Sequence, residues 1–317
     1  MALRIEGRHI WDFWYIYENK LFTVYFLNCD AQYHLNGEQH HRSVIGAAKT
    51  LDFVDFFDVN LDVFHASEDS WDNTSIWTGD TVCIYGRKYL FYPSRDKHEA
   101  DGTIQHIGVA EWHDDSWKRL DTKISAPSGW YLSSTDPEES SIHCWRDPFV
   151  FFRDGHIYML VAAKRKTAPA NHRGCVALLE VDEHISSFRH VRVLLETEYS
   201  ELELPQIYET SRGGMRVLCN ARTSDGGTQF AMTQEFFNIT GDDVHIEKEL
   251  GHDIYERDKY YGFRVVPECH SIIGAFHEQQ GFVQVFSNMR SLGWGVDRLK
   301  SMKLDDMHRC KCVCSRD

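Results

Sequence analysis

Three acidic side chains lie far apart in this sequence, each in a short segment that mixes polar and large apolar residues. Asp12 lies between Trp11 and Trp14. Glu203 lies between two leucines, and Asp147 directly follows an arginine. Apolar neighbours favour burial, and burial raises the pKa of a carboxyl group. Cleavage of a glycosidic bond requires two carboxyl groups in different protonation states, one attacking and one donating a proton, so Asp12 and Glu203 suit this chemistry.

Asp147 stands in a different local setting, because the guanidinium group of Arg146 is its neighbour. A neighbouring positive charge predicts that Asp147 stays ionised and holds sugar hydroxyls while positive charge builds on the ring. Taken singly, such residues have simpler interpretations: an aspartate before a strand caps a turn, and Arg-Asp-Pro is a common turn sequence. The simpler interpretation of Glu201 and Glu203, which are two residues apart, is that both lie on one solvated face of a strand. The three segments together favour a site.

Five runs rich in aromatic and β-branched residues provide the elements that would position these side chains. A loose period of about sixty residues separates them, which indicates a repeated structural unit. Most runs follow a glycine or a charged turn, as expected where a hairpin enters a strand. The runs are LFTVYFLN (21–28), KYLFYPSRD (88–96), HIYMLVAAK (156–164), MRVLCNAR (215–222) and SIIGAFHEQ (271–279).

The repeat predicts an all-β fold, a five-bladed β-propeller of four-stranded antiparallel blades that spans residues 1–317 as a single domain. Units of this length suit four strands packed around a central channel, and this arrangement protects the sheet edges. A two-sheet β-sandwich is the structural alternative, but it does not predict a fivefold repeat.

A short polar segment precedes each run, and in a propeller the innermost strand of each blade lines the axis. One such segment per blade therefore predicts a single funnel, with Asp12, Asp147 and Glu203 as its catalytic residues. The segments are HIWDFW (9–14), IWTGD (76–80), CWRDP (144–148), ELELP (201–205) and YYGFR (260–264). The candidate substrate-binding residues in them are Trp11, Trp14, Trp77, Thr78, Arg146, Glu201, Tyr261 and Arg264.

The composition restricts the partners. The chain has 34 Lys and Arg against 48 Asp and Glu, a net charge of −14, which argues against nucleic acid as a partner. Aromatic residues make up 13% of the chain, and such rings serve as platforms for the apolar faces of sugars. We therefore expect a small-molecule or oligosaccharide substrate, with no cofactor.

Localisation and metal binding are predicted from the ends of the chain and its cysteines. The amino terminus lacks an apolar signal region, and no apolar stretch reaches the length of a membrane span. Most of the nine cysteines stand singly in apolar runs. These observations favour a cytoplasmic protein with reduced thiols and no membrane partner. Cys310, Cys312 and Cys314 with His308 lack a second ligand pair, so we expect no metal site there.

Several of these segments resemble motifs of glycoside hydrolase families 32 and 68, the invertases, levanases, inulinases and levansucrases. Trp145-Arg146-Asp147-Pro148 resembles their Arg-Asp-Pro motif, and Glu203-Leu204-Pro205 resembles the Glu-Cys-Pro segment of family 32. Trp77-Thr78-Gly79 is similar to the Trp-Ser-Gly segment that lies beside the nucleophile in both families. The Glu201-x-Glu203 spacing is similar to the acid/base region of family 68, and Trp11-Asp12-Phe13-Trp14 is closer to family 68 than to family 32.

The resemblance implies a five-bladed propeller and a retaining double displacement through a covalent fructosyl-enzyme, acting on sucrose or a fructan. It implies Asp12 as nucleophile, Asp147 as transition-state stabiliser and Glu203 as acid/base. The carboxyl-terminal β-sandwich that family 32 enzymes normally add is not expected in this chain.

Three alternatives stay open from the sequence. A fructosyltransferase would use the same covalent intermediate and pass it to a sugar instead of water. An inverting propeller of the family 43 type would use Asp12 as a base on arabinosides or xylosides, although Arg146-Asp147-Pro148 argues against it. A non-catalytic sugar-binding propeller would keep the aromatic funnel without turnover.

Overall fold

The protein is described by a computed structural model in which five antiparallel sheets follow one another along the chain. It covers residues 3–136, 143–210, 213–223, 229–241, 246–250, 260–269, 271–276, 282–286 and 300–303. Consecutive strands pair in sequence order in every sheet, and one short strand from the end of the described chain joins the fourth sheet out of sequence order. Strands dominate this part of the chain, as the sequence predicts.

The first three sheets have four strands each. They comprise β1 (Arg8–Glu18), β2 (Leu21–Asp30), β3 (Val44–Thr50) and β4 (Phe56–Phe64), then β5 (Asp80–Ile84), β6 (Arg87–Arg95), β7 (Gln105–His113) and β8 (Ser116–Ile124), then β9 (Trp145–Arg153), β10 (His156–Lys164), β11 (Gly174–Val181) and β12 (Phe188–Glu196).

The fourth sheet has five strands and the fifth has three in the described residues. They comprise β13 (Glu201–Glu209), β14 (Met215–Arg222), β15 (Gln229–Phe236), β16 (Ile246–Leu250) and β20 (Lys300–Ser301), then β17 (Tyr260–Val266), β18 (Ser271–Phe276) and β19 (Phe282–Phe286). The short strand β20 pairs with β13 on the side opposite β14, although about ninety residues separate the two along the chain.

Tight hairpins connect the first two strands of the first three sheets. Asn19 and Lys20 form one turn, Tyr85 and Gly86 another, and both residues of each turn have positive φ. Two-residue turns of this kind match the twist of the strands they join. The apolar run that the sequence predicts after each turn is the second strand of its sheet: β2, β6, β10, β14 and β18, although residues 277–279 of the last run lie outside the described range.

The hydrophobic core lies between neighbouring sheets. One cluster joins the first and second sheets through Trp14 and Tyr92, and another joins the second and third through Phe91 and Val161. Clusters also join the third sheet to the fourth, and the fifth sheet back to the first through Val266. Sheets packed face to face in this way around an axis are the architecture of a β-propeller.

The prediction of an all-β propeller is confirmed. Five four-stranded blades were predicted, and four are complete in the described residues. Four sheets have at least four strands, whereas the described part of the fifth sheet has three. The first strands of neighbouring sheets contact one another, and β17 contacts both β13 and β1. These strands surround the axis, which is where the candidate residues lie.

Helices are short in the described residues. Between β2 and β3 the chain forms α1 (Ala31–Leu35) and α2 (Gln39–Arg42), and two single 3-10 turns occur at Ala100–Gly102 and Pro267–Cys269. No helix in these ranges combines the length and apolar character needed to cross a bilayer. The α1–α2 segment matters here because it reaches the candidate site.

Candidate active site

The same backbone irregularity recurs in the first strands that carry the candidate residues. Between Ile10 and Phe13, the two residues Trp11 and Asp12 lie opposite one residue of β2. Such a bulge bends the strand and re-aims its side chains, which is why bulges cluster near active sites. The first strand therefore turns the Asp12 carboxyl toward the axis.

Equivalent bulges occur in three other first strands. Asp147 and Pro148 lie opposite one residue of β10, and Leu204 and Pro205 lie opposite one residue of β14. Gly262 and its neighbour form the corresponding irregularity in β17. Asp147 and Leu204 have φ values of 54° and 52°, a strained conformation that non-glycine residues adopt where the surrounding structure enforces it.

Thr78 holds the carboxyl group of Asp12 in place. The Thr78 hydroxyl donates a hydrogen bond to Oδ2 of Asp12, and both side chains are buried. The next residue, Gly79, lies against the neighbouring strand so closely that a Cβ there would be 2.5 Å from the carbonyl oxygen of Phe91. Only glycine fits this approach, and it lets Thr78 reach Asp12.

Asp12 is buried and incompletely satisfied. Its Oδ1 atom has no hydrogen-bond partner in the described residues. Burial, together with the negative charge of Asp147, raises the pKa of Asp12 to about 7, although the Thr78 hydrogen bond opposes the change. A buried carboxyl group with an open oxygen is costly to the fold, and such groups are typical of functional sites.

The pKa of Asp147 is raised although Arg146 is its neighbour in sequence. Burial raises the pKa of Asp147 to about 6 although the charge of Arg146 opposes the change. Arg146 opposes this effect of burial from a distance, because its Nε is 3.8 Å from Asp147, whereas its Nη2 is 2.7 Å from Glu203. The main hydrogen bond to Asp147 comes from the backbone N–H of Leu204, at 3.0 Å.

Arg146 is shared between two glutamates. Its Nη2 lies 2.7 Å from Oε1 of Glu203 and 3.1 Å from Oε2 of Glu201. The other oxygen of Glu201 is 3.1 Å from Nζ of Lys164, which is itself buried. Burial alone would raise the pKa of Glu201, but Arg146, Lys164 and Arg222 hold it well below its usual range. Glu201 therefore serves as a fixed anion that orients Arg146 beside Glu203.

Aromatic side chains line the opening above the carboxyl groups. Trp11 and Trp77 are both partly exposed. The ring of His40, from α2, lies between them, with centroid distances of 6.4 Å to Trp11 and 5.1 Å to Trp77. The guanidinium of Arg146 lies 5.6 Å from the centroid of the Trp77 ring. The opening therefore offers flat apolar surfaces next to charged groups, as sugar binding requires.

The structure does not bring every predicted binding residue to this opening. Trp14 is buried in the core between the first two sheets and donates its indole N–H to Thr81 at 3.0 Å, so its prediction as a substrate contact is wrong. Arg264 is buried and donates to the carbonyl oxygen of Phe13 at 3.1 Å, which ties β17 to β1. Tyr261 lies in β17, but its side chain is outside the described residues.

The sequence alone did not identify Lys164, His40 and Arg222 as members of the site. Both His40-His41-Arg42 and Lys164-Arg165-Lys166 resemble solvated basic loops. Lys164 carried a usable signal, because it is the last residue of an apolar strand whose other residues are nearly all buried. His40 carries no comparable signal, because its position depends on how α2 packs on the second sheet.

No cofactor or metal group emerges from the described residues. Within them, no three His, Cys, Asp or Glu side chains are arranged to hold a metal ion. His308 and the three cysteines that follow it lie outside the described ranges, so the prediction about them stays untested.

The arrangement combines three buried carboxyl groups with one shared guanidinium. Burial and mutual repulsion raise the pKa of Asp12 to about 7 and that of Asp147 to about 6, so these two carboxyl groups retain protons at higher pH than free aspartate does. A cluster that retains a proton under these conditions has both a base and an acid available at one place.

Comparison with known proteins identifies one family. The model of the glycosyl hydrolases family 32 N-terminal domain matches residues 15–265. This range contains Asp147 and Glu203 and begins just after Asp12. A search of curated proteins finds no match.

Solved structures share the fold at low sequence identity. Bacillus subtilis levansucrase has a TM-score of 0.65 at 13% identity, covering 88% of this chain and 83% of that chain. A thermostable family-43 glycoside hydrolase has a TM-score of 0.63 at 12% identity and covers 95% of both chains. An endo-arabinase from Bacteroides thetaiotaomicron has a TM-score of 0.59 at 13% identity, covering 94% of this chain and 95% of that one.

Proposed function

Because the chain belongs to glycosyl hydrolase family 32, we propose that it is a retaining β-fructofuranosidase, which cleaves sucrose or a fructan through a covalent fructosyl-enzyme. The proposed catalytic residues are Asp12 as nucleophile, Asp147 as stabiliser of the transition state and Glu203 as acid/base. The family match supports glycoside hydrolysis, and the fructose specificity is our inference.

One observation carries this proposal: a buried Asp12 carboxyl is held at one oxygen by Thr78 and has no partner at the other. A structural aspartate at this depth would be expected to have both oxygens satisfied. The negative charges of Asp147 and Glu203 both raise the pKa of Asp12. Attack on an anomeric carbon requires such an oriented but unsatisfied carboxylate.

In the first step, the ionised Oδ1 of Asp12 attacks the anomeric carbon of the fructosyl unit. The bond from that carbon to the leaving oxygen breaks, and Glu203 transfers its proton to this oxygen. Asp147 stabilises the positive charge that develops on the ring, and its hydrogen bond from the N–H of Leu204 fixes its direction.

In the second step, Glu203 acts as a base and removes a proton from water. The water oxygen bonds to the anomeric carbon, the ester bond to Asp12 breaks, and Asp12 leaves as a carboxylate. Arg146 contacts Glu203 at 2.7 Å and moderates its charge as the proton leaves and returns. A sugar hydroxyl in place of water would give the transferase reaction.

The scaffold in this proposal is a single five-bladed propeller over residues 1–317, with β17–β19 as the fifth blade. Support comes from β17, which contacts β1 and β13 as the other first strands contact their neighbours. The bulge at Gly262 matches those that carry Asp12 and Asp147.

The test is an assay of fructose release from sucrose, inulin and levan, with arabinofuranosides in parallel, for wild type, Asp12→Ala and Glu203→Ala. Both variants should lose release by at least about three orders of magnitude, because each removes a group that forms or breaks a bond. Asp58→Ala is the matched control, since Asp58 lies on the outer strand β4 and its exposed carboxyl group pairs with Lys49.

Azide in place of water separates the roles. It should rescue Asp12→Ala as a product of inverted configuration and Glu203→Ala as one of retained configuration, because only the second still forms the covalent intermediate. Inverted product from wild type would instead support the family 43 alternative. Sugar binding without turnover in wild type would support the non-catalytic alternative.

A further inference from the structure

The α1–α2 segment is attached to the second sheet through the backbone of His40. The carbonyl oxygen of His40 accepts hydrogen bonds from the Ser75 hydroxyl at 2.9 Å and the Trp77 indole at 3.0 Å. It also accepts one from Nη2 of Arg95 at 3.2 Å, and Arg95 is buried. The anchor is thus a main-chain atom, and replacing the His40 side chain leaves it in place.

The imidazole of His40 faces the opening instead. The residue is exposed to solvent, yet its ring lies between Trp11 and Trp77. Burial among the surrounding atoms and the charge of Arg146 together lower the pKa of His40 to about 4. A ring that contacts solvent and is also closely surrounded by protein atoms lies on the wall of a concave opening. With its low pKa, the ring is neutral at physiological pH.

The position of His40 relative to the carboxyl groups determines what it can contact. Arg146 links the wall to the acid/base, because it lies over the Trp77 ring and 2.7 Å from Glu203. An acid/base must stand beside the glycosidic oxygen, so the leaving group extends from Glu203 toward the opening. The fructosyl unit lies deeper, against Asp12.

We propose that His40 is a specificity-determining residue, whose imidazole hydrogen-bonds a hydroxyl of the leaving-group sugar as that sugar enters the opening bordered by Trp11, His40 and Trp77. This inference rests on the proposed function, because it takes Glu203 as the acid/base. A neutral imidazole both donates and accepts a hydrogen bond, which suits a hydroxyl group. His40 then distinguishes a sugar leaving group from one without hydroxyls.

The experiment compares wild type, His40→Ala and the matched control His41→Ala on sucrose, with fructose as a competitive inhibitor. His40→Ala should raise KM for sucrose about tenfold, the effect of one lost hydrogen bond, while kcat stays within about twofold. Inhibition by fructose should not change, because fructose occupies only the deeper position. His40→Gln, which restores a donor and an acceptor, should recover part of the affinity, and His41→Ala should behave as wild type.

Unchanged KM for sucrose in His40→Ala would overturn the inference. Equal weakening of sucrose and fructose would also overturn it, because that result indicates a general distortion. If wild type releases no fructose, the proposed function fails separately, and His40→Ala is then tested in the Asp12→Ala background by tryptophan fluorescence with sucrose, arabinobiose and xylobiose. The inference survives that case only if substitution of His40 weakens binding of at least one of these disaccharides.

Discussion

The axial channel has two regions that treat buried charge in opposite ways. At the opening, Asp12, Asp147 and Glu203 lie together, and Arg146 contacts Glu203 more closely than Asp147. Elsewhere among the first strands, Asp80 accepts a hydrogen bond from the N–H of Val150 at 2.7 Å and pairs with Lys303. The first region retains an unsatisfied carboxyl oxygen, whereas the second satisfies its carboxylate within the fold.

The inner region is closed by a segment distant in sequence. Residues 300–303 add a strand to β13, and the carbonyl oxygen of Met302 accepts from the N–H of Phe152 at 2.8 Å. Lys303 lies 4.3 Å from the centre of the Phe149 ring and borders a cavity of about 10 Å³. This region therefore has the paired charges of a protein interior, whereas the opening has carboxyl groups with raised pKa values, which are typical of a functional site.

The largest effect is expected from Asp12→Asn, which removes the charge at the opening and keeps the shape. Activity should fall by about four orders of magnitude, because an amide does not attack the anomeric carbon. The pKa of Asp12 is raised from 3.8 to about 7 by folding, so the folded protein binds the proton more tightly and loses stability as pH rises between these values.

The variant should therefore be more stable than wild type at pH 8, by at most about 4 kcal/mol, and the difference should vanish near pH 4. Urea denaturation at the two pH values measures it. A variant less stable than wild type at pH 8 would show that Asp12 stabilises the fold and would remove the contrast between the two regions.

The second effect concerns Lys303→Met, which breaks the paired region. Asp80 is buried, so leaving it without its lysine should reduce the free energy of unfolding by about 3 to 5 kcal/mol. The double variant Asp80→Asn, Lys303→Met should recover much of this loss, because it removes the uncompensated charge. Equal loss in the single and double variants, measured by urea denaturation, would indicate that packing and not charge pairing matters here.

The third effect is the pH dependence of kcat/KM for sucrose. Asp12 must be ionised to attack and burial raises its pKa to about 7, so kcat/KM should fall about tenfold for each pH unit below that value. The Thr78 hydrogen bond lowers the pKa of Asp12, so in Thr78→Val the fall in kcat/KM should begin at a higher pH. If kcat/KM falls at the same pH in both proteins, another group controls it.

The smallest effect distinguishes two tryptophans that the sequence groups together. Trp14→Phe should cost about 1 kcal/mol of stability by removing the hydrogen bond to Thr81, with activity of the folded protein within about twofold of wild type. Trp77→Phe, at the partly exposed opening, should instead raise KM with a smaller loss of stability, because the carbonyl oxygen of His40 keeps its hydrogen bonds from Ser75 and Arg95. If kinetics and thermal unfolding instead showed a raised KM for Trp14→Phe and a loss of stability for Trp77→Phe, Trp14 would be the substrate contact and Trp77 the structural residue.

Much of the fold was predictable because strand signals are local. The alternation of apolar runs and turns located the second strand of all five sheets, and the turn at Tyr85 and Gly86 lies where a glycine marks it. Pro148 and Pro205, inside otherwise regular strands, marked two of the bulges, since a proline in a strand interior is found at bulges.

Other features depend on contacts between distant segments and had no local signal. Burial around the axis raises the pKa of Asp147, and the positions of Glu201 and Glu203 in another sheet set the direction of the Arg146 guanidinium. His40 reaches the opening because its carbonyl oxygen is bonded by the second sheet. Lys303 enters the channel through strand pairing with β13.

The sequence by itself determined the all-β repeat, the strand in which each acidic residue lies and the membership in a family of glycoside hydrolases. Only the tertiary structure decided that the pKa values of Asp12 and Asp147 are raised, which tryptophan faces the opening and which basic residues join the site. The physical reason is that strand patterns arise from neighbours along the chain, whereas burial and charge pairing depend on side chains that meet only when the blades close around the axis.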